Sequence, residues 1–147
     1  MVNLQQYEDY WNGICQRVPA ISSVTMVTLD AEVGKEIQSL HKSKLPALFA
    51  IIPNSQGKSQ DTDNIREQNL CVVFVMDKVD PQRKKAYQVQ KDTQPIIEEI
   101  KMLMMEDKAA GCSLMARLDL ESLSTIPESG FYNVFAGWSL GFNFDTE

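Results

Sequence analysis

The last stretch of the chain, residues 132–144, constrains the fold more than any other. It reads Tyr-Asn-Val-Phe-Ala-Gly-Trp-Ser-Leu-Gly-Phe-Asn-Phe. Its even-numbered positions are almost all bulky and apolar, whereas most of its odd-numbered positions are small or polar. A period of two is that of a β-strand, so this stretch predicts a strand with one face on a hydrophobic core. We expect Trp138 to belong to that core.

The opposite face of this predicted strand carries Gly137, Ser139 and Gly141 in succession. Glycine inside a strand is unfavourable by roughly 0.5–1 kcal/mol relative to alanine, unless another group must approach the backbone closely. We therefore expect something to pack on this small face. Two candidates stay open, namely an amphipathic helix over residues 93–107 and a neighbouring subunit.

Three helices are predicted from apolar residues at steps of three and four. The first covers residues 3–18 with Asn3 as its cap, and a second covers residues 31–41. An Asp-Pro pair predicts the start of a long helix around residues 81–107, in which Pro95 forces a kink or a restart. The first and third of these helices are expected to pack on the sheet.

The remaining patterns predict the other strands. Residues 22–29 form a short strand, and the continuous apolar runs at 47–52 and 70–76 indicate central strands covered on both sides. Residues 113–120 alternate like a half-buried strand, and a turn-rich connection at 125–130 then returns the chain into the final strand as an antiparallel partner. The sequence thus predicts one α+β domain over 1–147, with a mostly antiparallel or mixed sheet of four to five strands.

Residues 54–69 predict a polar loop or arm, because Ile65 is their only large apolar residue. A long polar connection inside a small domain is usually functional, so it is a candidate for contacts with a partner. We expect this segment to be mobile or only locally ordered in an isolated subunit. The candidate interaction residues are Gln56, Lys58, Asp61, Asp63 and Arg66 in this segment, together with Gly137, Ser139 and Gly141 on the small face.

Composition narrows the classes of partner. A formal net charge of −6 argues against binding of nucleic-acid phosphates, which draws on clustered Lys and Arg. No apolar run approaches the roughly 20 residues that a membrane helix needs, so we expect no membrane partner and a cytoplasmic protein. The three cysteines, Cys15, Cys71 and Cys112, lie far apart among apolar neighbours and are expected to be buried free thiols.

Residue patterns that could carry catalysis are weak. His41 is the single histidine and lies in a polar, lysine-flanked stretch, which disfavours nucleophilic catalysis built on histidine. The tripeptide at residues 57–59, Gly-Lys-Ser, lacks the upstream glycine of a phosphate-binding loop. The acidic residues Asp61, Asp63 and Glu67 match no calcium-loop spacing. We therefore expect no cofactor, no metal and no enzymatic activity.

The layout of the chain from Leu45 onward resembles a family of small phage proteins. It combines an apolar strand ending in proline, a polar excursion, a second apolar strand, a helix with Thr-Gln-Pro-Ile-Ile-Glu-Glu-Ile and a final Gly-Trp-Ser-Leu-Gly-Phe-Asn-Phe strand. This order is similar to that of tail-terminator or tail-completion proteins of tailed phages and prophages, which are small α+β proteins that form rings at the end of the tail tube. The resemblance carries no residue-specific motif, so no site residue follows from it.

The resemblance implies a structural function without catalysis. It implies a homo-oligomer that associates through sheet edges and contacts tail tube or neck proteins through loops, in the cytoplasm of a bacterial host or in the virion. Two other classes stay open on the sequence, a small cytoplasmic adaptor or binding module and, with less support, an enzyme. The oligomeric state discriminates the first two, because a ring requires self-association and an adaptor does not.

Overall fold

Three α-helices and one short 3-10 turn accompany six β-strands. The structure, a computed structural model, describes residues 1–28, 30–111, 114–131 and 134–147. The helices are α1 (Leu4–Arg17), α2 (Asp30–Ser39) and α3 (Ala86–Ala109), and the 3-10 turn is Lys42–Lys44. The strands are β1 (Ser23–Val27), β2 (Ala47–Ile51), β3 (Asn54–Gly57), β4 (Glu67–Lys78), β5 (Leu118–Phe131) and β6 (Phe135–Thr146). Within the described ranges, no helix is long and apolar enough to span a membrane.

The six strands form one mixed sheet. Its spatial order is β1-β2-β4-β6-β5, and β3 pairs with β4 on the side where β2 also pairs. Only β1 and β2 run parallel, whereas the other pairs are antiparallel. The predicted α+β class is therefore confirmed, and the predicted strand count of four to five is too low by at least one. The added strand is β3, which lies in the segment predicted to be a loop.

Helix α1 forms as its sequence predicts. The side-chain Oδ1 of Asn3 accepts a hydrogen bond from the backbone N–H of Gln6 at 3.1 Å, which is the expected cap. The apolar stripe is buried at Tyr7, Trp11, Ile14 and Val18. Leu4, three residues before Tyr7, has the spacing of this stripe but is 47% exposed in the first turn of the helix.

Helix α3 begins later than the sequence predicts. The Oδ1 of Asp80 accepts from the N–H of Gln82, and Asp80 and Lys84 exchange two backbone hydrogen bonds of 2.8 and 2.7 Å. These bonds close a tight turn, for which an Asp-Pro pair is as well suited as for a helix start. The helix then runs from Ala86 without ending at Pro95, so the predicted restart there is wrong.

Helices α1 and α3 pack on the same face of the sheet, which we call the first face. There the apolar side chains of α3 at Ile96, Ile97, Ile100 and Met104 meet those of β6 at Leu140, Phe142 and Phe144. Trp138 is only half-buried and lies at the margin of this core. Its indole Nε1 donates to the backbone carbonyl of Gln90 at 2.8 Å.

Strand β5 includes the segment that was predicted to be a turn. The predicted strand at 113–120 and turn at 125–130 are replaced by a turn at 114–117 and one long strand from Leu118. Pro127 is tolerated inside β5 because this strand lies at the edge of the sheet, where one side of the backbone has no strand partner to lose. The antiparallel pairing of the last two strands is confirmed, but the predicted wide connection is part of β5 itself. Residues 112–113 and 132–133, included in these predictions, lie outside the described residues.

Helix α2 is the cover of the second face of the sheet. Val33 and Ile37 of α2 are fully buried and belong to a cluster with Phe49, Phe74 and Phe135. This cluster lies over the C-terminal half of β4 and the N-terminal end of β6. The rest of the second face is not covered by this cluster.

Candidate functional site

Contacts within the chain explain the small residues at two of the three positions on the small face of β6, Gly137 and Ser139. They do not explain the third, Gly141. A Cβ atom on Gly137 would lie 1.9 Å from the carbonyl oxygen of Val75, so the neighbouring strand β4 itself demands glycine there. Ser139 is 5% exposed, and its hydroxyl donates to Oε1 of Glu128 at 2.8 Å. A Cβ atom on Gly141 would meet only two backbone carbonyl oxygens, both at an ordinary 3.9 Å. Packing within the chain therefore does not explain Gly141.

The helix proposed as one partner of the small face lies elsewhere. Helix α3, which contains the predicted 93–107 helix, packs on the first face, on the opposite side of β6. Helix α2 does lie on the second face, but its buried residues contact the C-terminal half of β4 rather than the strand near Gly141. Of the chain's own helices, the 93–107 helix therefore does not pack on the small face, and for Gly141 the neighbouring subunit stays a prediction.

The pairing register shows which residues surround Gly141. Val72 of β4 and Ser124 of β5 lie directly opposite Gly141, and Leu70 lies opposite Asn143. Residues paired in this way point to the same side of a sheet. Together they form a continuous surface that we call the open face: Asn54, Gln56, Gln68, Leu70, Val72, Asp119, Ser124, Ile126, Gly141, Asn143 and Asp145.

The open face has an apolar centre and a polar rim. Val72, on the inner strand β4, is 36% exposed, and Ile126, on the edge strand β5, is 52% exposed. Asp145 and Asp119 are its charged members; the carboxylate of Asp145 pairs with Nζ of Lys58 at 3.2 Å, and Asp119 lies exposed opposite Asn143. Exposed apolar side chains surrounded by polar groups are the arrangement found at protein interfaces.

The adjacent edge of the sheet is poorly suited to accept another strand. Strand β5 is irregular between Asp119 and Ser124, where extra residues bulge out of register with β6. The hydroxyl of Ser122, within this bulge, accepts the backbone N–H of Asn143 at 2.8 Å. Bulges and edge prolines such as Pro127 limit pairing between sheet edges. The β5 edge therefore offers little for the edge pairing that the phage resemblance implies.

Residues 54–69 form a β-hairpin rather than a loop. Strand β3 pairs with the first residues of β4 from Asn54↔Leu70 to Gly57↔Glu67. The backbone N–H of Lys58 then donates to the carbonyl of Arg66 at 2.9 Å, and the N–H of Arg66 donates to Oγ of Ser59. The sequence missed β3 because short polar strands have no apolar alternation to reveal them. Whether the segment is mobile in solution stays a prediction.

The hairpin places members of the two predicted sets of interaction residues on one surface. Gln56 points to the open face, since it pairs with Gln68, which in turn pairs with Asp145. Lys58 and Arg66 lie where the strands of the hairpin end, and Asp61 and Asp63 lie beyond them at its exposed tip. Gln56 and Gly141 are therefore members of one surface, while Gly137 and Ser139 lie closer to α2.

Asn69 shows that the polar segment also contributes to the core. It is fully buried, and its Oδ1 accepts the backbone N–H of Val2 at 3.0 Å. Its Nδ2 donates to the carbonyl of Phe144 at 3.2 Å and to the hydroxyl of Thr146 at 3.1 Å. This amide thus ties the N-terminus and β6 to β4. A buried asparagine cannot be recognised from sequence without knowing that β4 extends to Glu67.

The residues considered for catalysis have local structural contacts. Nδ1 of His41 accepts the backbone N–H of Ser43 at 3.2 Å and lies 2.9 Å from its hydroxyl, which makes the imidazole a cap of the 3-10 turn. Residues 57–59 lie at a hairpin and are followed by a strand rather than a helix. Oδ1 of Asp61 accepts the N–H of Asp63 at 3.1 Å in a local turn. Among the described residues, no three His, Cys, Asp or Glu side chains are placed to share a metal ion.

Two titratable groups lie behind the open face, inside the first-face core. Burial raises the pKa of the Cys71 thiol to about 12, and burial likewise raises the pKa of the Tyr7 hydroxyl well above its ordinary value. Both groups are therefore neutral at physiological pH. Cys71 is a buried free thiol as predicted, Cys15 is a half-buried one, and Cys112 lies outside the described residues.

A charged clasp holds α1 against α3. The guanidinium of Arg17 donates to both carboxylate oxygens of Asp107, at 3.0 and 2.8 Å, and the hydroxyl of Tyr10 donates to Oδ2 at 2.8 Å. The hydrogen bond to Asp107 raises the pKa of Arg17. These hydrogen bonds between α1 and α3 account for the buried carboxylate of Asp107.

No protein-family model matches this sequence, and a comparison with curated proteins finds no match either.

Proposed function

We propose that this chain is a non-enzymatic structural protein that assembles with copies of itself, of the tail-terminator or tail-completion kind found in tailed phages and prophages. The observation that carries the proposal is the open face, an apolar-centred surface on a sheet whose other surfaces are packed. Val72 and Ile126 are large apolar side chains left exposed at 36% and 52% on it. Burying them against a partner would be favourable by roughly 25 cal/mol per Å² of apolar surface.

A second copy is the occupant that the geometry favours. Helices α1 and α3 lie on the first face, and α2 lies on the other half of the second face. Of the described residues, none covers Val72, and this supports a cover supplied by another chain. Gly141 leaves the backbone of β6 accessible at the centre of the open face, which allows a neighbouring subunit to approach closely.

The phage assignment rests on the resemblance of layout together with this surface. A ring of small α+β subunits requires a contact between two different surfaces of neighbouring copies, and the open face is proposed as part of one of them. The hairpin beside the open face would contact tail tube or neck proteins, and the protein would act in the cytoplasm of a bacterial host and in the virion.

Sedimentation and light scattering of Ile126→Lys test the proposal. A lysine at this exposed position of the open face places a charge where the neighbouring copy must lose water, so the variant should self-associate at least about tenfold more weakly than the native chain. Met102→Lys is the matched control, because Met102 is a similarly exposed 55% on the outer surface of α3. It should assemble like the native chain.

Closed particles of uniform subunit number, seen by light scattering and by electron microscopy, are the expected form of the native protein. A native chain that remains a 16.6 kDa monomer up to several hundred micromolar would contradict the proposal. It would favour a small adaptor or binding module with a different partner.

A further inference from the structure

The end of the sheet opposite the hairpin carries an open cleft of about 710 Å³. Leu45, Val79 and Val134 give it an apolar floor, and its rim combines the cations Lys42, Lys78, Arg83 and Lys84 with the carboxylates of Asp77 and Asp80. The cleft lies where β4 ends at Lys78 and the tight turn of residues 80–84 begins. A floor of apolar side chains with a cationic rim suits a segment that carries both carboxylates and an apolar side chain.

The rim cations are available for a partner. In the part of the chain that the structure describes, no ion pair engages Lys42, Lys78 or Arg83. Lys84, by contrast, already pairs with Asp92 at 3.0 Å and with Asp77 at 4.0 Å. The lining has two more cations than carboxylates although the chain has a net charge of −6, and this makes the cleft a local site for anionic groups.

The tip of the hairpin has the complementary chemistry. Asp61 and Asp63 are exposed there, next to Ile65, whose side chain is 64% exposed. Lys58 below them is neutralised by Asp145, and Arg66 lies at the base of the tip. The turn between Asp61 and Asp63 holds both carboxylates on one short protruding segment. The tip thus presents two carboxylates and one large apolar side chain.

The tip and the cleft lie at opposite ends of one strand. Strand β4 begins at Glu67, directly after the tip, and ends at Lys78, beside the cleft. Twelve residues at about 3.3 Å each separate these ends by roughly 40 Å, so the tip cannot reach the cleft of its own chain. Two different patches at opposite ends of a subunit allow neighbouring copies to bind head to tail. Such a contact generates a closed ring or an open filament.

We infer that the hairpin tip of one copy inserts into the cationic cleft of the next copy, with the carboxylates of Asp61 and Asp63 on the rim and Ile65 on the apolar floor. This inference rests on the proposed self-assembly and names the contact that gives the assembly its direction. The open face lies at the same end as the tip, so the same neighbour covers it.

Charge reversal at both ends tests the contact. Asp61→Lys with Asp63→Lys reverses the tip, and Lys78→Glu with Arg83→Glu reverses the cleft; all four positions are exposed. Each pair alone should weaken self-association at least about tenfold, as measured by sedimentation velocity. The chain with all four substitutions keeps the native net charge of −6 and should recover an affinity within about threefold of the native one.

Two further variants separate charge from local structure. Asp61→Asn with Asp63→Asn keeps a side-chain acceptor for the tip turn and should weaken association less than the reversal does. Glu98→Lys with Glu99→Lys makes the same change in net charge on the outer surface of α3 and should leave association unchanged. A native protein that assembles while the tip and cleft variants assemble equally well would overturn this contact and leave the proposed function standing. Failure of the four-substitution chain to recover would also overturn it, whereas a monomeric native protein would overturn both.

Discussion

The two halves of β4 differ in what covers their second face, although their sequences are alike. Phe74 and Met76 lie under α2 and are 5% and 0% exposed. Val72 points to the same side two residues earlier, yet it is 36% exposed, and Leu70 is only half-buried. The alternation of a strand decides to which side a residue points, but the element packed on that side decides whether it is buried.

The length of α2 accounts for the difference. Its ten residues span about 15 Å at 1.5 Å per residue, whereas the twelve residues of β4 span roughly 40 Å. On the first face, α3 has 24 residues and about 36 Å of length, so it can follow β4 and β6 for most of their course. The second face is therefore covered at one end only, and the open face is what α2 is too short to reach.

The largest effect should come from truncating the covered half. Phe74→Ala should lower the free energy of unfolding by about 3–5 kcal/mol, because it leaves a cavity between β4 and α2. Val72→Ala, the matched change on the open half of the same face, should cost about 1 kcal/mol or less in dilute solution. Urea denaturation of both variants measures the difference.

Equal losses for the two variants would mean that both halves are buried in the isolated chain. In that case the comparison between a covered and an open half would fail, and with it the reason for a partner on the second face.

A smaller difference in stability is expected between alanine substitutions of the two glycines that β6 contributes to the second face. Gly137→Ala should cost about 1–3 kcal/mol, because its Cβ would lie 1.9 Å from the carbonyl oxygen of Val75 and β4 must shift. Gly141→Ala should change stability by no more than about 0.5 kcal/mol, since its Cβ has ordinary contacts only. Thermal or urea unfolding of the two variants in dilute solution decides the point.

The bulkier Gly141→Val extends this comparison to assembly. It should leave the isolated chain folded while it lowers self-association, because a branched side chain would hold the neighbouring backbone away from β6. A Gly141→Val chain that assembles normally but unfolds much earlier would instead place an internal contact at this position.

Sequence patterns predicted the elements that have a strong apolar period. The stripe of α1 through Trp11, the buried run of β2 and the alternation of β6 from Leu140 to Phe144 are all found where they were predicted. The misses have a physical cause in each case. Strand β3 is polar throughout, and the Asp-Pro pair at 80–81 serves a turn equally well as a helix start.

The candidate site was predictable only in part. The small residues of β6 pointed to the second face, but only the packing against Val75 shows that Gly137 is required within the chain while Gly141 is not. Val72 was predicted to be covered on both sides, because a continuous apolar run does not reveal where a covering helix ends. The cationic cleft joins residues from 42 to 134, so no local pattern could have shown it.

Thiol labelling of Val72→Cys tests most directly whether the open face is a surface of self-association. The neighbouring native Cys71 is 3% exposed with a pKa near 12, so it should stay unlabelled and serve as an internal reference. In dilute protein the introduced thiol should react readily. At concentrations where most of the chain is assembled, its labelling should slow by about tenfold or more, while Met102→Cys on α3 keeps its rate. A labelling rate at position 72 that is the same at every protein concentration would contradict the account.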